Sequence, residues 1–224
     1  AFSIAISVVF IFLLFGNLLN GANFGDFLLK FGSALFGGFS GGPAKVAVFS
    51  SALFGSISGS AVANVVGTGT FTIPMMKKMG FSPDIAGAVE ASASTGGQIT
   101  PPIMAAAAFI MAEILMVPYI DIIKAAILPA LAYYVCVYIS IDAYSKRVGL
   151  KGIPKKERPT IKESMKSGGH LILIIFILIY LLYLRIEPLR AAFLSILILC
   201  FQVVVSLACM QLEMNIVDMA LVAI

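Results

Sequence analysis

Two short segments of this 224-residue chain combine hydroxyl residues with glycine, and the second also contains proline, in patterns that expose oxygen atoms. The first is Ser58-Gly59-Ser60, and the second is Ser94–Pro102, which reads STGGQITPP. Glycine weakens a helix and proline removes a backbone donor, so each segment should leave carbonyl groups without helical partners. Hydroxyl and carbonyl oxygens are the ligands that hard cations prefer. The two segments therefore predict a cation site made of neutral oxygens.

Each feature also has a simpler interpretation. Serine and glycine in membrane helices usually mediate close packing, and a Pro-Pro pair can mark a plain kink. The combination favours a functional site, because unwound backbone at membrane depth is tolerated only inside protein or beside a wet cavity. Asn64, one turn after the first break, either contacts substrate or caps a half-helix. Glu90 is either a functional intramembrane carboxylate or, being two turns from Asp84, an interfacial one.

The composition places these segments in a membrane. Hydrophobic residues make up 60% of the chain and charged residues 12%, about half of the ~25% charged residues usual in soluble domains. Eight of the fifteen Lys and Arg residues fall between Lys146 and Lys166. We interpret 145–167 as a basic cytoplasmic loop. It has no interleaved aromatic residues, so we expect no nucleic-acid partner.

The Ser-Gly-Ser motif divides the predicted segment 43–79. As one helix this segment would be about 50 Å long, whereas the hydrocarbon core is ~30 Å thick. The motif leaves two arms that are each too short to span. Lys45 lies at one end and Lys77-Lys78 at the other, which favours a re-entrant hairpin with both ends on the cytoplasmic face. Its tip would lie near mid-membrane.

The remaining segments give an all-α membrane protein. We predict a discontinuous helix over 85–117 and spans over 122–141, 171–184 and 189–210. A helix ending at Phe15 should be followed by a turn over 16–21 and by an amphipathic segment over 23–36 in the interface plane. The chain then divides into 1–144, with the hairpin and the broken helix, the loop 145–167, and 168–224.

The residues from Ser58 to Glu113, SGSAVANVVGTGTFTIPMMKKMGFSPDIAGAVEASASTGGQITPPIMAAAAFIMAE, resemble a known family. They are similar to the large permease subunit of tripartite ATP-independent periplasmic (TRAP) transporters, and look closest to fused permeases that work with TAXI-type solute-binding proteins. The similarity is dense over 41–144. It implies an ion-transporter fold of two inverted repeats, each with a hairpin and a broken helix. This chain would hold about one repeat, and 168–224 would start the second.

The resemblance also implies an activity. It implies elevator-type, Na⁺-driven uptake of an organic anion, a carboxylate of the C4-dicarboxylate kind, across a bacterial or archaeal cytoplasmic membrane. The implied partners are a periplasmic TAXI-type solute-binding protein and a small membrane subunit or its fused equivalent. No cofactor besides Na⁺ and no transition metal is expected. A second ion site would lie in the other repeat.

The family's motifs map onto particular residues here. The expected Na⁺ ligands are Ser58, Ser60, Gly97, Thr100 and Pro102, the last three mainly through carbonyls. Asn64, Thr95 and Gln98 are the expected substrate contacts. Many relatives carry Ile-Gly-Pro where this chain has Gly96-Gly97-Gln98, so the carbonyl geometry should differ.

The two alternative classes are an intramembrane enzyme and a channel-like or structural membrane subunit. An intramembrane enzyme needs a Ser/His pair or paired acids at depth, but His170, the only histidine, lies at the edge of the basic loop and Glu90 is unpaired. We therefore expect no enzymatic activity. The alternative that stays open is a channel-like or structural membrane subunit without ion coupling.

Overall fold

All regular elements in the described part of the chain are helices, which confirms the all-α fold class. A computed structural model describes the backbone of residues 2–222 and the side chains of residues 7–205. Short 3₁₀ turns occur at Gly97–Ile99 and Lys155–Glu157. The α-helices, in chain order, are α1 (Phe2–Gly21), α2 (Phe24–Phe36), α3 (Gly42–Ser58), α4 (Ala61–Lys78), α5 (Pro83–Gly96), α6 (Ala106–Leu115), α7 (Tyr119–Val148), α8 (Ile161–Tyr183) and α9 (Pro188–Val222).

Several helices are long and apolar enough to cross a membrane. Within the described residues these are α7 (Tyr119–Val148), α8 together with the 3₁₀ turn before it (Lys155–Tyr183), and the first part of α9 (Pro188–Val205). α1 and α2, which meet at an angle of 67°, would add a fourth if they act as one broken span. Large apolar side chains such as Leu128, Phe176 and Phe201 are exposed on these helices, as lipid-facing residues would be.

The predicted turn over 16–21 is wrong, since α1 continues to Gly21. Gly16 has a packing role instead. A Cβ placed on it would lie 3.4 Å from the Ile57 carbonyl oxygen and from the Ser58 Cα, so the glycine lets α1 approach the end of α3. The direction changes further on, where Asn23 adopts a left-handed φ of 61° before α2. Asp26 and Lys30 form an i,i+4 ion pair in α2 at 2.6 Å.

The hairpin segment forms two helices that pack on each other. α3 ends at Gly59, whose φ of 62° suits glycine and whose N–H donates to the Gly55 carbonyl at 2.9 Å. Ser60 is extended, and its Oγ accepts a hydrogen bond from the Ala63 N–H at 3.3 Å. The helix therefore breaks within the predicted Ser-Gly-Ser motif, and Ser60 caps the second arm.

The basic connection between α7 and α8 is shorter than the predicted 145–167. α7 runs to Val148 and stops at Gly149, whose φ is 74°. α8 begins at Ile161 with a capping box, in which Thr160 and Glu163 each bond the other's backbone N–H. The predicted loop was too long because its bounds were placed by the clustered charges, whereas lysine and arginine are also good helix formers. The connection also packs back on the fold, since the Ile153 N–H donates to the Gly37 carbonyl at 2.7 Å.

Lys45 is not the surface charge that the sequence analysis assumed. Its side chain is only 3% exposed and forms an ion pair with Asp142, which also pairs with Lys146 at 2.7 Å. The ammonium group lies over the rings of Tyr138 and Phe39, 4.7 and 5.6 Å from their centroids. Lys45 therefore fastens the start of α3 to the end of α7 and carries little information on topology.

Two apolar cores surround the hairpin. The larger joins α1, α2, the C-terminal half of α3, α6, α8, α9 and the start of α7 through side chains such as Phe12, Phe27 and Ile174. The smaller lies where α3, α4, α5 and α7 meet, around Ala47, Met76 and Phe81. The first hairpin arm, α3, therefore contributes to both cores, while α4 and α5 contribute their buried apolar residues to the smaller one.

Removing the counter-charge of Lys45 should destabilise the fold much more than removing the exposed partner of Asp142. Asp142→Asn leaves a buried ammonium without a partner, and we expect a clear loss in the free energy of unfolding. Lys146→Ala removes a side chain that is 69% exposed, and its effect on the free energy of unfolding should be a small fraction of that loss. Reversible unfolding of the intact protein in mixed micelles measures both, and equal losses would contradict the assignment.

Candidate functional site

The chain is not α-helical through the second predicted break. α5 ends at Gly96, a single 3₁₀ turn follows, and α6 starts only at Ala106. The stretch between them includes a cis peptide bond between Pro101 and Pro102. Both helix interruptions expected from the sequence are therefore present in the structure.

The two breaks lie in direct contact. A Cβ built on Gly55, one turn before the hairpin tip, would lie 2.6 Å from the Gly97 Cα, closer than real Cβ atoms come. The Ile103 N–H donates to the Ser56 carbonyl at 3.0 Å. At the tip itself, a Cβ on Gly59 would collide with the Met104 carbonyl oxygen. The hairpin and the unwound stretch thus pack backbone against backbone.

The expected cation ligands surround this junction, and several already form hydrogen bonds there. The Thr100 hydroxyl donates to the Gly96 carbonyl at 2.7 Å, and its N–H donates to the Gly97 carbonyl at 3.2 Å. The Pro102 carbonyl accepts a hydrogen bond from Tyr119 at 3.1 Å. Ser58 and Ser60 are half-buried. Each carbonyl oxygen has a second lone pair, so these bonds leave acceptor capacity for an ion.

The expected substrate contacts occupy different environments. Asn64 is fully buried, where its Nδ2 donates to the Ser51 carbonyl at 2.8 Å. It therefore ties α4 to α3. Thr95 is exposed and its hydroxyl donates to the Ala91 carbonyl at 2.8 Å. Gln98 is exposed beside an otherwise apolar cavity of about 310 Å³ between the unwound stretch, α6 and α7.

Sequence reasoning missed three tyrosines that satisfy carbonyls near the break. Tyr134 donates to the Ala93 carbonyl at 3.1 Å and Tyr133 to the Ser92 carbonyl at 2.8 Å, both at the end of α5. The single hydroxyl hydrogen of Tyr119 is shared between the Ile103 and Pro102 carbonyls, which both lie within bonding distance. No sequence signal links these tyrosines to the break, because a tyrosine in an apolar helix equally suits a membrane interface.

Glu90 is buried inside the protein and lies at the centre of a hydroxyl cluster. Its side chain has no solvent exposure. Oε1 accepts hydrogen bonds from Ser51 at 2.9 Å, Thr68 at 2.6 Å and Ser94 at 3.1 Å, while Oε2 accepts from Thr72. These residues come from α3, α4 and α5, so one carboxyl group joins both hairpin arms to the first half of the broken helix.

An all-helical, multi-pass protein in which two interrupted helices meet has the architecture of a membrane carrier, where broken helices form the binding site. Comparison with known families agrees. Residues 2–223 match the family described as the tripartite ATP-independent periplasmic transporter, DctM component. The chain belongs to this family of multi-pass inner-membrane permease components, which are not enzymes.

A curated relative also covers much of the chain. An uncharacterized protein, y4mL, from Sinorhizobium fredii is 30% identical over 192 residues, which is 83% of this chain and 44% of the relative. The chain therefore spans less than half the length of that protein.

Glycine at the junction should be required for packing. Gly97→Ala puts a methyl group against the backbone of Gly55, and we expect a loss of about 1–3 kcal/mol in the free energy of unfolding. Gly87→Ala, in the same broken helix but with open space around it, should instead stabilise by about 0.5–1 kcal/mol. Unfolding of both variants in mixed micelles measures the difference, and a Gly97→Ala protein as stable as wild type would refute the close contact.

Proposed function

We propose that this chain is part of the membrane subunit of a TRAP secondary transporter, which couples Na⁺ entry to the uptake of an organic anion. The observation that supports this most strongly is the contact between the hairpin tip and the unwound stretch. It gathers hydroxyl and carbonyl oxygens from two broken helices in one place. A plain packing role would not need two helix interruptions at the same point.

The helix directions suit the binding of both a cation and an anion. The C-terminal ends of α3 and α5 meet at the junction and present carbonyl oxygens, which favour a cation. The N-terminal ends of α4 and α6 begin there and present N–H groups, which favour an anion. Secondary transporters use broken helices in this way for the coupling ion and for the substrate carboxylate.

The proposed ligands follow the family motif. Na⁺ would be held by the residues expected from the sequence, Ser58, Ser60, Gly97, Thr100 and Pro102. Gln98 and Thr95, both exposed, are placed better for a substrate that arrives from solvent than Asn64, which is buried. In the complete transporter the hairpin re-enters the membrane and moves with its substrate in an elevator-type cycle.

Na⁺ coupling supplies enough energy for concentrative uptake. Each Na⁺ gains about 2.3 kcal/mol from a potential of ~100 mV and about 1.4 kcal/mol from a tenfold gradient. Two ions, one of them in the other repeat, would supply about 7 kcal/mol, and each negative charge on the substrate subtracts about 2.3 kcal/mol. For a monocarboxylate about 5 kcal/mol remains, which corresponds to roughly several thousandfold accumulation. The proposed partners are a periplasmic TAXI-type solute-binding protein, which delivers a carboxylate, and a small membrane subunit or its fused equivalent.

Removing the hydroxyls of the hairpin tip should weaken Na⁺ coupling. With the intact transporter in proteoliposomes and its binding protein outside, the double variant Ser58→Ala/Ser60→Ala should need about tenfold more Na⁺ for half-maximal uptake, the loss of roughly one ligand's contribution. Ser140→Ala, an exposed serine on α7 away from the breaks, is the matched control and should behave as wild type. An unchanged Na⁺ requirement in the double variant would count against these ligands.

Counterflow separates a carrier from the channel-like or structural alternative. Liposomes preloaded with unlabelled substrate should take up labelled substrate transiently above equilibrium, because a carrier exchanges substrate across one alternating site. Absence of this overshoot, together with substrate flux that does not saturate, would favour a channel and would end the transporter proposal.

A further inference from the structure

The carboxyl group of Glu90 lacks the counter-charge that a buried carboxylate requires. None of the ion pairs among the described side chains includes Glu90, and all four groups that bond it are neutral hydroxyls. A buried carboxylate without a cation is strongly disfavoured and is neutralised either by a bound ion or by a proton. The group that neutralises Glu90 is therefore either a cation bound within this cluster or a proton.

Charged and titratable groups on the neighbouring helices do not fill this role. Those of α3 and α4 are engaged or exposed, since Lys45 is paired with Asp142 while Lys77 and Lys78 lie exposed at the end of α4. Asp84, the other carboxylate of α5, is exposed in its first turn. The face of α7 toward α5 presents the side chains of Tyr133, Tyr134, Cys136 and Tyr144.

The oxygen atoms around Glu90 are spaced for hydrogen bonds and not for the coordination of a dehydrated cation of Na⁺ size. Glu90 Oε1, Thr68 Oγ1 and Ser51 Oγ form a triangle with edges of 2.6, 2.9 and 3.0 Å. These are hydrogen-bond distances. Ligands about 2.4 Å from an ion in octahedral geometry would be separated by roughly 3.4 Å. This arrangement therefore fits a proton better than a metal ion.

A neutral acid also completes the hydrogen bonds of Thr72. Its hydroxyl lies within bonding distance of both Glu90 Oε2 and the Thr68 carbonyl, which is 3.1 Å away, but it carries only one hydrogen. If Oε2 is protonated, it donates to Thr72, and Thr72 donates to the Thr68 carbonyl. Oε1 keeps Ser51 and Ser94 as hydroxyl donors, and Thr68 shares its one hydrogen between Oε1 and the Asn64 carbonyl, which is 2.9 Å away. A carboxylate would leave the Thr68 carbonyl without this bond.

We propose that Glu90 is a proton-binding site whose neutral form fastens the hairpin to the first half of the broken helix. Ser51 and Thr68 belong to the two hairpin arms, and Glu90 belongs to α5. Movement of the hairpin away from α5 would let water reach the carboxyl group, which would then release its proton to that water. Proton uptake and docking of the hairpin are therefore linked at this residue.

Infrared spectroscopy of the intact protein in nanodiscs, in Na⁺-free choline buffer, tests the protonation state. Wild type should give the carbonyl band of a protonated carboxylic acid at neutral pH. Glu90→Gln, which copies the neutral shape, should lack it. Asp84→Asn, on the same helix but exposed, should retain it. A band that persists in Glu90→Gln would overturn the proposal, as would a wild type without the band, because the carboxyl would then be charged and a cation site would be the better explanation.

A second variant keeps the test decisive if Glu90→Gln fails to fold. Thr72→Val is nearly isosteric and removes the acceptor of the acid proton. It should shift the wild-type band to higher frequency because the acid O–H loses its bond. A band unchanged in Thr72→Val would contradict the proposed donor direction.

Hydrogen exchange tests the link to the hairpin. Exchange of residues 42–78 is compared between wild type and Glu90→Gln at the same pH, so that the intrinsic pH dependence of exchange cancels. The two proteins should match at acidic pH, and wild type should exchange several-fold faster as the pH rises. Equal protection at all pH values would refute the link. Because Na⁺ is absent throughout, this result stands or falls separately from the Na⁺ proposal.

Discussion

The structure depends on one constraint: a chain that unwinds inside an apolar protein must bring its broken ends together. Gly55 and Gly97 permit this, because their backbones meet at a distance that no side chain allows. The contact lets the Ile103 N–H reach the Ser56 carbonyl, so each break supplies a partner for the other. Unpaired backbone groups at either break alone would be costly. The pairing of two interruptions therefore makes both tolerable and leaves their remaining oxygens concentrated at one place.

The sequence predicted the features that follow from local chemistry. Gly59 ends a helix and Ser60 starts one, as their types indicate, and the prolines after Gly97 prevent a continuous α-helix. The membrane class followed from the scarcity of charge. These features need no knowledge of what the residues touch, which is why residue types and spacing were sufficient.

Features that depend on distant partners could not be predicted in the same way. Lys45 suits a membrane surface by its type, but Asp142, 97 positions away, makes its burial possible. Gly16 suits a turn until α3 is known to pack against it. The environment of Glu90 was undecided because its burial depends on hydroxyls of two other helices. Each of these residues is compatible with two environments. Contacts with residues distant in the sequence decide which of the two it occupies.

The two polar centres of the hairpin region are connected through Asn64. Thr68, which bonds Glu90 at 2.6 Å, also lies 3.2 Å from Asn64 Oδ1. Asn64 Nδ2 bonds the Ser51 carbonyl and lies where a Cβ on Gly55 would be 2.7 Å away, beside the contact with Gly97. Asn64 therefore lies between the carboxyl group and the backbone junction and is in contact with residues of both. Moving Thr68 away would cost stability unless Asn64 followed, because a buried amide does not give up its hydrogen bonds freely. This position and its full burial favour a structural role for Asn64 over direct contact with a substrate.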